Sequence, residues 1–121
     1  MILSFPAFAD KIECPPEIKS EQKILNIPKG WASEEESLNA RQMLTHITFY
    51  NGPADEGAAL APAEENGKFV WVFSKDDKRK NYLACVYRMT YMLLVKELKN
   101  VSRCEVEYPE KSMIPKSIDC K

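Results

Sequence analysis

Residues 68–108 read KFVWVFSKDDKRKNYLACVYRMTYMLLVKELKNVSRCEVEY. The segments 68–74, 82–89, 91–98 and 101–108 are rich in Val, Tyr, Phe and Leu, the residues that suit a pleated, half-buried surface. What separates them is short: the charged turn KDDKRKN, then Thr90, then Lys99-Asn100. Strands joined so tightly must run antiparallel, so the stretch predicts a meander.

Upstream, LTHITFYNGP at 44–53 is a further strand that stops at the turn residues Asn51-Gly52-Pro53. EIKSEQKIL at 17–25 alternates, with Glu17, Lys19, Glu21 and Lys23 on one face and Ile18, Ser20, Gln22 and Ile24 on the other, as in a strand with one wet face. Pro28 and Gly30 then break the chain, and Trp31 is expected to fold back on the core. Between them and the next strand, SEEESLNARQM at 33–43 carries a capping-box pattern, Ser33 with Glu36, and predicts a short helix or ordered loop. Residues 53–67 form a Gly/Ala/Pro-rich loop, and the tail after 108 is expected to be irregular because of Pro109 and Pro115. The expected class is mainly β, or α+β with one short helix: an antiparallel meander sheet of about five to six strands, stapled by disulfides.

The compartment follows from the first residues and the cysteines. MILSFPAFA at 1–9 has an apolar stretch, with Ala7 and Ala9 at the −3 and −1 positions of a signal-peptidase site, so 1–9 is read as a signal remnant and 10–121 as a single periplasmic domain. Cys14, Cys85, Cys104 and Cys120 are widely spaced, with no C-x-x-C pair and a single histidine, so zinc and thioredoxin-like spacings are missing and two disulfides fit better. Their placement favours Cys85–Cys104 with Cys14–Cys120. Against it, strands bracketing 91–98 would hold Cys85 and Cys104 about 10 Å apart, beyond the ~7 Å reach of a bridge. The rival pairing is Cys14–Cys85 with Cys104–Cys120. A domain of 121 residues buries only about 65% of its extended-chain surface, so either pair of staples is worth having.

Function classes narrow by charge and by missing chemistry. The net charge of −1 gives no basic field for nucleic acid or an anionic membrane, and no apolar run reaches the ~18 residues of a membrane span. His46 is the only imidazole, on a strand beside Thr45 and Thr48 with no nucleophile motif. Asp55-Glu56 lies in the long loop and Asp76-Asp77 in a solvated turn without EF-hand spacing. No phosphate-cradling loop is present among four glycines, so no cofactor, metal or catalytic residue is expected and the chain reads as a non-enzyme. Phe69, Trp71 and Phe73 share one strand face, with Tyr82 and Tyr87 on opposite faces of a following strand; they suit a small core, or else a stacking surface.

ECPPEIKSEQ, ITFYNGPADEGAAL, YLACVYRMT, VSRCEVEY and the closing IDCK occur in this order over residues 13–120. In that order they resemble a family of small uncharacterised periplasmic proteins of Gram-negative bacteria, designated only by a locus tag, some of them encoded near type VI secretion loci. The resemblance implies a periplasmic, β-rich domain and supplies no catalytic residues. The expected function is a secreted periplasmic binding or inhibitor protein, such as an immunity protein that blocks a cell-wall-degrading toxin; the partner would be a secreted or periplasmic effector enzyme. The contact elements would be the 51–67 loop and the 75–81 turn, with Asp55, Glu56, Asp76, Asp77 and Arg79 foremost. The alternative is an envelope enzyme or small-ligand carrier with a pocket lined by Trp71 or Tyr87.

Overall fold

The structure, a computed structural model, describes residues 10–34, 41–76 and 78–121. The segment read as a signal remnant, most of the segment read as a helix, and Asp77 lie outside the described residues. Nine strands are assigned: β1 Asp10–Lys11, β2 Glu17–Ile18, β3 Gln42–Asn51, β4 Ala63–Glu65, β5 Lys68–Val72, β6 Asn81–Tyr87, β7 Leu93–Leu98, β8 Arg103–Glu107 and β9 Ser117–Cys120. All pairings are antiparallel, in two sheets instead of one meander, with orders β1-β9-β8-β5-β4 and β2-β3-β6-β7.

The expected strands over 44–53, 68–74, 82–89, 91–98 and 101–108 are present, but only β6 and β7 pair as sequence neighbours within that run. The chain crosses from the first sheet to the second between β5 and β6, and returns between β7 and β8. The reason lies on the apolar faces. Phe49 of β3 is fully buried, with its ring centroid 4.5 Å from Trp71 of β5 and 6.0 Å from Phe73. A single flat sheet would leave one of these faces in water; two facing sheets bury both. Leu44, Ile47, Leu83, Tyr87 and Leu98 from the second sheet join Cys104, Val106, Ile118 and Cys120 from the first in one core.

Four further expectations are corrected. Only Glu17–Ile18 of the 17–25 segment is strand; Ile24, Leu25 and Trp31 are exposed, so the alternation finds no sheet to face and Trp31 does not fold back. Gln42 and Met43, placed in the helix, open β3. Residues 63–65, read as loop, form β4, because Asn66 (φ 51°) and Gly67 (φ 77°) both take the left-handed conformation of a two-residue hairpin turn. The tail, read as irregular, ends in β9, where Ser117-Ile118-Asp119-Cys120 alternates half-buried and buried residues against β8.

The disulfides are Cys14–Cys85 and Cys104–Cys120, the rival pairing. Cys104 and Cys120 are directly opposed on β8 and β9, with Cα atoms 4.1 Å apart. Cys85 lies in the other sheet, on β6. The preferred Cys85–Cys104 link fails because Cys104 stands opposite Cys120 on the neighbouring strand of its own sheet, while Cys85 faces Cys14. Loop-closure entropy assigns about 4 kcal/mol to the Cys14–Cys85 bridge, which spans 71 residues, and about 3 kcal/mol to Cys104–Cys120, which spans 16. The double variant C14A/C85A is therefore expected to lose more stability than C104A/C120A in urea unfolding, and peptide mapping of the oxidised protein to recover these two linkages.

Tyr87 joins the chain segment beside Cys14 to the second sheet: its buried ring donates a hydrogen bond from the hydroxyl to the Pro15 carbonyl at 2.7 Å. Burial raises its pKa above the ordinary 10.0. The neutral phenol is thus the form the fold favours, and its stabilisation is complete below pH 10 and lost as pH rises through the folded value. Stability is expected to fall in the alkaline range, and Tyr87→Phe to make that fall shallower while costing about 1 kcal/mol at neutral pH. Urea midpoints measured from pH 7 to 11 check both.

Candidate functional site

The two elements expected to make contact are brought together at one end of the second sheet. β3 delivers the chain into the 51–67 loop and β6 receives it from the 75–81 turn, and the paired residues Asn51 and Asn81 close that end. The Asn51 side-chain amide donates to Asn81 Oδ1 at 3.1 Å, and the Gly52 amide donates to the Lys80 carbonyl at 2.7 Å. Ala54–Glu56 forms one 3₁₀ turn, capped by Gly57 in the left-handed conformation. Farther along, the loop returns to β3 through Leu60 N–H to Phe49 O at 2.8 Å, and the Leu60 carbonyl accepts the Trp71 indole N–H at 3.1 Å.

Within this frame Glu56 and Arg79 are ion-paired, and the Arg79 guanidinium lies across the face of Gly52. Gly52 has φ 95°, a conformation that favours glycine, and a Cβ there would push the Arg79 guanidinium out of its place. Asp55 is exposed on the 3₁₀ turn. Asp76 is also exposed, its backbone N–H bonded to Ser74 Oγ at 3.3 Å. The structure therefore joins Glu56 to Arg79 and leaves Asp55 and Asp76 facing water. Gly52→Ala is expected to destabilise by about 1–3 kcal/mol, and by less in an Arg79→Ala background, where the collision is gone. A double-mutant cycle in urea unfolding measures the difference.

The chemistry weighed at single residues resolves into structural roles. His46 is exposed on β3 after a bulge, where the register passes from Leu44↔Tyr87 to His46↔Val86. Thr45 Oγ1–H donates to the Val86 carbonyl at 3.0 Å, and its oxygen lies 3.0 Å from His46 Nδ1. The bulge moves the buried set of β3 from Gln42 and Leu44 to Ile47 and Phe49, and so turns His46 outward. Trp71 and Tyr87, expected to line a pocket, are buried instead, each with its polar group bonded to a backbone carbonyl. Phe69 packs edge-on against Tyr108 at 5.4 Å.

A cleft of about 620 Å³ opens at the opposite end of β3, where the two sheets part. Ile12, Leu44 and Ile118 supply apolar walls, and Lys11, Arg88 and Lys116 supply cations, with Glu13 the one acidic side chain lining it. Cys14 also lines the cleft, so the bridge to Cys85 fixes one wall. Of the cleft lining, the sequence singled out Cys14 as a disulfide residue and Pro115 as a breaker, and neither as part of a binding site. Its walls come from segments far apart in the chain, and the alternation at 117–120 was the one local signal that the tail joins a sheet.

The architecture is that of a small disulfide-stapled protein of two antiparallel sheets, with Phe49, Trp71, Phe73 and Tyr87 in the core and the described charged residues of the 75–81 turn exposed. The profile of the type VI secretion system Tli immunity protein family matches residues 37–121. The match covers more than half of the chain, and the chain belongs to this family. No curated protein and no solved structure matches it.

Proposed function

We propose that this protein protects its host in the periplasm by binding a type VI secretion toxin and blocking its action, without performing chemistry itself. Membership of the immunity family carries this reading. Three features support it: two disulfides, which persist in an oxidising compartment; candidate acid, base and stacking residues that are dispersed or buried; and a rigid scaffold that displays exposed loops at both ends of β3. Inhibitors of secreted enzymes work by shape, through preorganised surfaces that lose little entropy on binding. On this reading the 51–67 loop and the 75–81 turn present Asp55, Glu56, Asp76, Asp77 and Arg79 to the partner. Because Glu56 and Arg79 are already paired across the two elements, these two side chains need little ordering on contact.

The test is co-expression with a toxin encoded beside the gene. A version exported to the periplasm is expected to rescue growth and to retain the toxin in a pull-down at several salt concentrations; a version kept in the cytosol is not. Assay of the recovered toxin on cell-wall material decides whether the wall is its substrate. Recovery of no partner by the exported form, together with no rescue, would overturn the reading.

A further inference from the structure

The cleft at the start of β3 combines three properties that occur together nowhere else among the features described above. Its walls are apolar and partly core: Leu44 and Ile118 are buried at its base, and Ile12 is half-buried beside them. Its edge is adaptable and apolar, since Met43 is 47% and Ile114 43% exposed. Met113 and Met89, next in sequence to Ile114 and Arg88, are exposed as well. Its charge is cationic, with Lys11, Arg88 and Lys116 against Glu13, in a chain whose net charge is −1.

Methionine and arginine beside a preformed pocket are the residues enriched where proteins bind proteins, and flexible thioethers mould to a partner's side chain. The volume falls within the ~300–1,000 Å³ of binding pockets. A small ligand is served instead by fixed, buried polar groups, whereas the charges here sit on the ends of long exposed side chains. Lys116 also lies 3.8 Å from Glu107, so Lys11 and Arg88 carry most of the attraction. Complementarity then defines the occupant: an apolar side chain to fill the cleft, flanked by carboxylates to meet Lys11 and Arg88.

We infer that this cleft is the anchor site for the toxin, taking an apolar side chain from a toxin segment that carries aspartate or glutamate on either side. The inference rests on the immunity reading and adds to it a place and a partner chemistry. The cleft is distinct from the loop-and-turn face. Leu44 and Asn51 are seven residues apart on β3, which at ~3.4 Å per residue is about 24 Å, so the two faces can be disabled separately.

Two measurements test it on the intact oxidised protein. In the first, the peptide Ac-Glu-Phe-Leu-Asp-NH2 is titrated and followed by amide chemical shifts, with Ac-Lys-Phe-Leu-Lys-NH2 as the control. Shifts are expected at Lys11–Glu13, Met43–Leu44, Arg88 and Ile114–Ile118, with binding of the basic peptide at least about tenfold weaker. Equal binding of the two peptides, or shifts confined to 51–67 and 75–81, would overturn the assignment. In the second, toxin retention is compared for wild type, Arg88→Glu, Ile114→Asp and Lys96→Glu, the last on β7 and outside both the cleft and the loop-and-turn face. Arg88, Ile114 and Lys96 are exposed, so unchanged melting temperatures are expected to show that the variants fold. The cleft predicts that Arg88→Glu and Ile114→Asp each weaken retention by about tenfold or more while Lys96→Glu retains the toxin. Wild type failing to retain any toxin would sink the immunity reading, and the peptide titration would then decide the cleft's chemistry alone. Retention by wild type and by both cleft variants would sink the cleft and leave that reading standing.

Discussion

The contact of Phe49 with Trp71 and Phe73 is the constraint from which the rest of the architecture follows. Phe49 belongs to the second sheet and Trp71 to the first, so their rings hold the sheets face to face. Fully burying a large side chain contributes about 1.5–3 kcal/mol, and aromatic pairing adds about 0.5–1.5 kcal/mol. Without that contact, the alternating apolar faces of β3 and β5 would have no common partner. The crossings between β5 and β6 and between β7 and β8 would then have nothing to drive them. The Thr45 bulge serves the same end, because it sets the phase of β3 so that Phe49 points inward while His46 points out.

A small core needs help from covalent links, and the two bridges act at different levels. Cys104–Cys120 joins neighbours that already pair, so it secures β9 to β8 within one sheet. Cys14–Cys85 ties the segment running between β1 of one sheet and β2 of the other to the centre of β6. Tyr87 reinforces that link one residue farther along, through its bond to Pro15. Stability and site are coupled here: the segment held by Cys85 and Tyr87 is also one wall of the cleft.

The strands were legible because β-branched, aromatic and leucine residues cluster between short turn signals, a local preference that β3, β5, β6, β7 and β8 all carry. The partition into two sheets was not legible, since it depends on which apolar faces meet, and KDDKRKN serves a hairpin and a sheet-to-sheet crossing equally well. The preferred disulfide pairing failed because the tail was expected to be irregular: β9 carries Cys120 into the sheet opposite Cys104, which leaves Cys14 to Cys85. β4 was missed although Asn66-Gly67 is a strong hairpin signal, because Gly, Ala and Pro in the preceding residues read as loop. Of the sites, the meeting of the 51–67 loop with the 75–81 turn could be inferred from two strands pairing, but the cleft could not, because Lys11, Arg88 and Lys116 become neighbours only through the tertiary fold.

The two ends of β3 differ in how their charges are used. At the Asn51 end, Arg79 is engaged by Glu56 and packed over Gly52, and Lys80 lies 3.5 Å from Glu97. Charges paired in this way hold a loop in one place, although each exposed ion pair contributes only about 0–1 kcal/mol and its field largely cancels. At the Leu44 end, Lys116 lies 3.8 Å from Glu107, and Lys11 and Arg88 line an apolar hollow whose lining holds one carboxylate, Glu13. A positive field over a partly enclosed apolar surface gives both steering toward an acidic partner and burial once it arrives. An inhibitor must meet its toxin quickly and then hold it. On the proposed reading the Leu44 end serves both from the same few residues, and the Asn51 end contributes a loop fixed in advance.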